Sequence, residues 1–211
     1  MISRPPAVER PAIVGPAGAI EAIVNDPGGA GSEYAVVCHP HPLFGGTMDN
    51  KVVFAVARAL QQTGIPTLRF NFRGVGASAG AYDEGRGETD DAGAVASWGE
   101  QRWPGRRLVI AGFSFGSYVA LRLAHQRTAD RLITIAPPVD RFDFSSIPAP
   151  ICPWLVVQGD ADDVVDPASV IAWAESLEPK PRLVVLPGAG HFFHGRLQEV
   201  RDAVIDAIRS G

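Results

Sequence analysis

Apolar positions along this chain follow two rhythms. Short continuous runs recur in its second half: LVIA at Leu108–Ala111, LITI at Leu132–Ile135, WLVV from Trp154 and LVVL at Leu183–Leu186. Runs without a polar face belong to parallel strands covered by helices on both sides. Between them, apolar residues recur at helical spacing. Residues 49–63 place Val52, Val56, Ala59 and Leu60 on one face, and residues 195–209 do the same with Leu197, Val200, Val204 and Ile208. Further helices are predicted over 88–101, 116–126 and 167–177. The first carries Glu88, Asp90 and Asp91 in its opening turn, where the helix dipole favours acids. Thr67–Phe72 reads as a strand. So do residues 18–24 and 33–38, and the short PGGAG link between them predicts an antiparallel pair.

Strands alternating with helices imply an α/β fold, with a mostly parallel sheet, an antiparallel start and helices on both faces. A chain of 211 residues suits a single domain over 1–211 with one sizeable core. The excursion between Ala136 and Ile151 is too short for a cap domain. In such sheets ligands bind beyond the carboxyl ends of the strands.

Composition narrows the function. The chain is 46% hydrophobic and 20% charged, with a formal net charge of -4. No basic run suits a phosphate backbone, so no nucleic-acid partner is expected. The start MISRPPAVERPAIV is broken by charges and prolines and has no signal-peptide apolar region. No apolar run is long enough to span a membrane. The expectation is a cytoplasmic protein without a membrane partner; the oligomeric state is left open. Cys38 and Cys152 cannot make a disulfide framework. Two strands should separate theirs, which puts them ~14 Å apart at about 4.8 Å per strand, beyond disulfide reach.

The sharpest motif is Gly112-Phe113-Ser114-Phe115-Gly116, between the LVIA strand and a helix. A strand that reverses into a helix within a few residues strains its central residue and presents that side chain clear of the backbone. Ser114 is the candidate nucleophile. A serine hydroxyl needs a general base. Of five histidines, His191 lies in a glycine-rich loop after the last strand; His194 and His125 are weaker candidates. An imidazole base needs an anion to fix its tautomer. Asp162, in the GDADDVVDP turn after WLVVQ, is preferred to Asp140. Asp166 before Pro167 reads as a helix N-cap, and Asp160 and Asp163 as turn residues. The acids lack EF-hand spacing, and no zinc-protease HExxH arrangement occurs, so neither a metal nor another cofactor is expected.

With Ser114, Asp162 and His191 in that chain order, the sequence resembles the α/β-hydrolase superfamily over nearly its whole length. The stretch from Cys38 to Met48 resembles the family's oxyanion loop, Phe72–Ser78 its loop after the fourth strand, and Gly159-x-x-Asp162-x-x-Val165 its acid turn. The HPHPLFGGTMDN segment is similar to small, cap-less bacterial predicted hydrolases grouped near dienelactone hydrolases and carboxylesterases. Dienelactone hydrolases carry a cysteine nucleophile where this chain has Ser114, so their substrate is not carried over. The resemblance implies a serine hydrolase acting on small soluble esters or thioesters, with oxyanion donors at the Phe115 amide and one amide of His41–Phe44, here assigned to Leu43. His39 and His41 are expected to shape that loop, and Phe192 and Phe193 to line an acyl pocket or fill core. The alternatives are an acyltransferase or peptidase using the same three residues, and a non-catalytic binding protein of the same fold.

Overall fold

The computed structural model describes residues 7–210. In chain order the elements are strands β1 (Ala7–Glu9), β2 (Ile13–Gly15), β3 (Gly18–Ile20), β4 (Ala22–Asp26) and β5 (Glu33–Cys38), helix α1 (Lys51–Gln62), strand β6 (Thr67–Phe70), helix α2 (Arg86–Arg102), strand β7 (Arg107–Phe113), helix α3 (Phe115–Gln126), strands β8 (Arg131–Ile135) and β9 (Trp154–Gly159), helix α4 (Pro167–Ser176), strand β10 (Arg182–Leu186) and helix α5 (Leu197–Arg209). One short 3-10 turn, Pro42–Phe44, precedes α1.

Eight strands form the main sheet in the order β1-β4-β6-β5-β7-β8-β9-β10. From β6 to β10 every pairing is parallel; β4 and β1 join antiparallel at one edge. The continuous apolar runs have the explanation read from the sequence, because successive side chains point to opposite faces. On one face Val36, Ile110 and Leu132 pack with α2 and α3. On the other, Val37, Val109 and Ile133 pack with α1 and α5. Helix starts follow local chemistry. The Asn50 carboxamide accepts from the Val52 amide at α1, and Asp166 caps α4 at the Ala168 and Ser169 amides, with Pro167 as the first helical residue.

The antiparallel pair predicted across the PGGAG link is corrected. The chain does reverse there, but β4 pairs with β6 and β1, and β6 stands between β4 and β5. Strand β6 is buried at all four positions, whereas β4 is only half-buried at its last two. The strand that is buried along its whole length lies beside the fully buried β5, and β4, which ends in Asn25 and Asp26, lies outward of it. The predicted strand 18–24 also divides at Glu21: Gly18–Ile20 pairs with β2 in a separate hairpin. Cys38 and Cys152 are both free thiols, and β7 and β8 separate β5 from β9.

The loop after β6 is tied to α2 by a buried ion pair. The Arg73 guanidinium donates Nε to Asp91 Oδ2 at 2.9 Å and Nη2 to Oδ1 at 2.8 Å, and the Arg73 amide also donates to Oδ2. The Asp91 side chain is 1% exposed. Asp91→Ala leaves Arg73 a largely buried cation without its anion. It should destabilise the fold by about 3 kcal/mol, read as a lower urea midpoint at unchanged slope.

Candidate active site

The site is assembled where β5, β7, β9 and β10 end. Ser114 closes β7 at φ 52, ψ -124, a strained conformation for a residue with a side chain. Both flanking glycines are required sterically. A Cβ at Gly112 would lie 2.0 Å from Gly116 O, and one at Gly116 would lie 2.4 Å from Cys38 O. The turn is fixed by the Ser114 amide donating to Ile135 O at 2.8 Å. Ser117 adds a second tie: its buried hydroxyl lies 2.9 Å from Gly112 O and 3.0 Å from Ile135 O and shares its proton between them. Sequence reasoning missed this role. The available signal was a serine among the glycine, aromatic and aliphatic residues opening α3.

The structure brings Ser114, His191 and Asp162 together. His191 Nε2 lies 3.0 Å from Ser114 Oγ, and its Nδ1 lies 2.8 Å from Asp162 Oδ2. The carboxylate can only accept, so the Nδ1 proton belongs on that side and Nε2 faces the hydroxyl with a free lone pair. Asp162 Oδ1 also accepts from the amides of Val164 (2.9 Å) and Val165 (2.8 Å), and Oδ2 from the Gln158 carboxamide (3.1 Å). Burial pushes this carboxyl up, but the hydrogen bonds from His191, Val165 and Val164 outweigh it and hold the group below the usual carboxylate range. The acid turn and the histidine loop touch because residue 159 is glycine; a Cβ there would lie 2.1 Å from Ala189 O. Phe113 and Phe192 flank the imidazole at centroid distances of 5.2 and 5.1 Å.

The other candidates fall elsewhere. Asp140, Asp160, Asp163, His125 and His194 are exposed. Asp160 braces the turn by accepting from the Gly188 amide, and Asp166 is the α4 cap. The adjacent phenylalanines divide: Phe192 is at the cavity rim, while Phe193 is fully buried with α5.

His39 and His41 do shape the loop after β5. His39 Nε2 accepts from the Phe72 amide at 2.9 Å, which puts its proton on Nδ1 and makes that nitrogen the donor to Pro40 O at 2.7 Å. Burial lowers the His39 pKa to about 4, against a weaker opposing effect of the Pro40 bond. His41 is also lowered by burial. Its ring packs on Phe44, Tyr82 and Phe115, and its Nδ1 accepts from the Leu43 amide at 3.2 Å.

That last bond corrects the Leu43 assignment, because the Leu43 amide is already committed to His41. Pro40 and Pro42 have no N–H, and the Phe44 and Gly46 amides both donate to His41 O. Among the described residues, no protein group accepts from the amides of His41 or Phe115. Both border a cavity of about 390 Å³ at Ser114 and His191 or open the helix beneath it. No helix or strand lies between β8 and β9 to cover it.

Sheet order, strand-to-helix serine and absent cap define an α/β hydrolase of the lid-less kind. Residues 43–148 match the model of the family described as serine aminopeptidase, S33, and the chain belongs to that family of the α/β-hydrolase superfamily. An α/β serine hydrolase without lid from Xanthomonas campestris is 45% identical, with a TM-score of 0.92 over 100% of this chain and 96% of its own. An α/β serine hydrolase homologue from Coxiella burnetii is 42% identical, with a TM-score of 0.88 over 98% of each chain. An uncharacterised protein of Rickettsia prowazekii is 37% identical across 92% of this chain and 86% of its own length.

The His39 link predicts a pH dependence. In the folded state the ring stays neutral down to about pH 4, whereas unfolded histidine binds a proton near pH 6.5. The stabilisation is therefore complete above about pH 6.5 and is lost as pH falls towards 4, by up to about 3 kcal/mol. Urea titrations should show this slope in the native chain. His39→Gln should be less stable at pH 7 and flatter across that window.

Proposed function

We propose that the protein is a serine hydrolase that cleaves small carboxylic esters or thioesters through an acyl-enzyme on Ser114. The observation that carries the reading is the unbroken contact from Ser114 Oγ through His191 to the buried Asp162 carboxylate. As Ser114 Oγ bonds to the substrate carbonyl carbon, its proton passes to His191 Nε2. Asp162 holds the ring and stabilises the imidazolium. The negative charge on the carbonyl oxygen is met by the amides of Phe115 and His41, whose hydrogens are uncommitted. One such donor contributes about 10²–10³ in rate. The tetrahedral adduct collapses, the alcohol or thiol leaves with the His191 proton, and water attacks the acyl-enzyme by the reverse sequence to release the acid and restore Ser114.

The cavity supports small substrates. About 390 Å³ of uncovered space, with Phe44 and Phe192 on its rim, suits a short acyl chain. The family description favours one second reading, in which the same three residues cleave an amide. Parallel assays on p-nitrophenyl butyrate and aminoacyl p-nitroanilides decide between the two.

Fluorophosphonate labelling tests the nucleophile. The native chain should label at Ser114, and Ser114→Ala and His191→Ala should not. Asp162→Asn should retain the fold but lower kcat on p-nitrophenyl butyrate by about 10³–10⁴, because the ring loses its tautomer partner. Labelling of Ser114→Ala equal to that of the native chain would remove Ser114 from the mechanism.

A further inference from the structure

Resting on the hydrolase reading, we infer that Arg141 selects substrates that carry a carboxylate beside the scissile ester. Arg141 lies in the segment between β8 and β9 and reaches over the cavity that holds Ser114 and His191. One Nη2 hydrogen donates to Val164 O at 2.5 Å, which fastens the side chain to the acid turn. A guanidinium has five donors, and among the described residues no carboxylate lies within ion-pair distance of this one. Asp140 and Asp163, chain neighbours of the two residues in that contact, are exposed and form no ion pair with it.

The rest of the cavity makes this cation unusual. Among the described residues, no other that borders it carries a fixed charge; the walls are glycine, proline, valine, phenylalanine and asparagine with Ser114 and the two histidines, His41 and His191. Asp162 is screened, with a side chain 0% exposed. The chain as a whole has a net charge of -4, so its surface offers no general attraction for anions. Hydrolysis also builds negative charge on the carbonyl oxygen. A substrate with its own carboxylate brings a second negative charge close to that oxygen, and an unpaired guanidinium at the rim offsets it. Arginine suits the task because its planar fork can take a carboxylate through two parallel hydrogen bonds. The carboxylate can sit on the acyl side or on the alcohol side; the recognition chemistry is the same.

The test compares matched esters. On the acyl side, p-nitrophenyl hemiglutarate is set against p-nitrophenyl butyrate; on the alcohol side, carboxyphenyl acetate against phenyl acetate. The native chain should favour the anionic member of at least one pair in kcat/KM. Arg141→Gln should lower that anionic-to-neutral ratio about tenfold, and Arg141→Glu should lower it further. Arg141→Lys should restore part of it, and added salt should erode it in the native chain. Loss of the ratio in KM with a smaller change in kcat marks binding of the anion. If both ratios stay within threefold of native in Arg141→Gln and Arg141→Glu, the inference is overturned while neutral-ester turnover leaves the hydrolase reading in place. If no ester is turned over and Ser114 does not label, it is the hydrolase reading that fails.

Discussion

Everything at this site depends on how closely the start of α3 is pressed against the end of β5. Gly116 has no side chain, and a Cβ there would run into the Cys38 carbonyl. That contact forces the chain to turn at Ser114 with φ 52, a conformation that costs on the order of 1–3 kcal/mol. The cost is borne by the sheet, since the Ser114 amide and the Ser117 hydroxyl both bond to β8 at Ile135 O. The same closeness has a chemical consequence. It brings the first amides of α3 beside the loop that leaves β5, so two separate segments present free N–H groups near one hydroxyl.

Three loops must then hold their positions without a cap to clamp them. Each is fixed by a polar link beneath it rather than by packing from above. His39 ties the β5 loop to Phe72, Arg73 ties the following loop to Asp91, and Asp162 gathers two amides, a carboxamide and the His191 ring. In a buried setting each such group is costly if its partner is lost. Rigidity is therefore distributed through the base of the site, and the face towards solvent stays open.

Much of this was legible in the sequence because the determining signals are local. LVIA followed by GFSFG specifies a buried strand turning into a helix, and Asp166-Pro167 specifies a capped helix start; both stand where the pattern put them. Gly159 beside an acid turn and Gly190 beside His191 placed the two partners at one sheet edge. What stayed hidden depends on competition between distant segments. The reversal after Asp26 was visible, but the place beside β5 went to β6, which no local signal could rank against β4. The Leu43 amide looks free from its position in the sequence, and only the folded loop brings the His41 side chain, two residues earlier, onto it. Phe192 and Phe193 cannot be told apart by composition. Phe193 sits at φ 50, and that backbone turn separates the fates of two identical side chains, one at the rim and one in the core.

An open site also changes what can discriminate between substrates. A closed pocket selects by shape and by excluding water, but a hydrophobic contact with one methylene more or less is worth only about 1–3 kcal/mol even there. At an uncovered rim, Phe44 and Phe192 remain exposed and give less. Charge acts differently, because a guanidinium pinned to Val164 O has lost part of its rotational freedom before a ligand arrives. Its direction is set by the same acid turn that sets Asp162. In this fold the segment between β8 and β9 is too short to become a lid, yet long enough to carry one cation to the edge of the reaction centre.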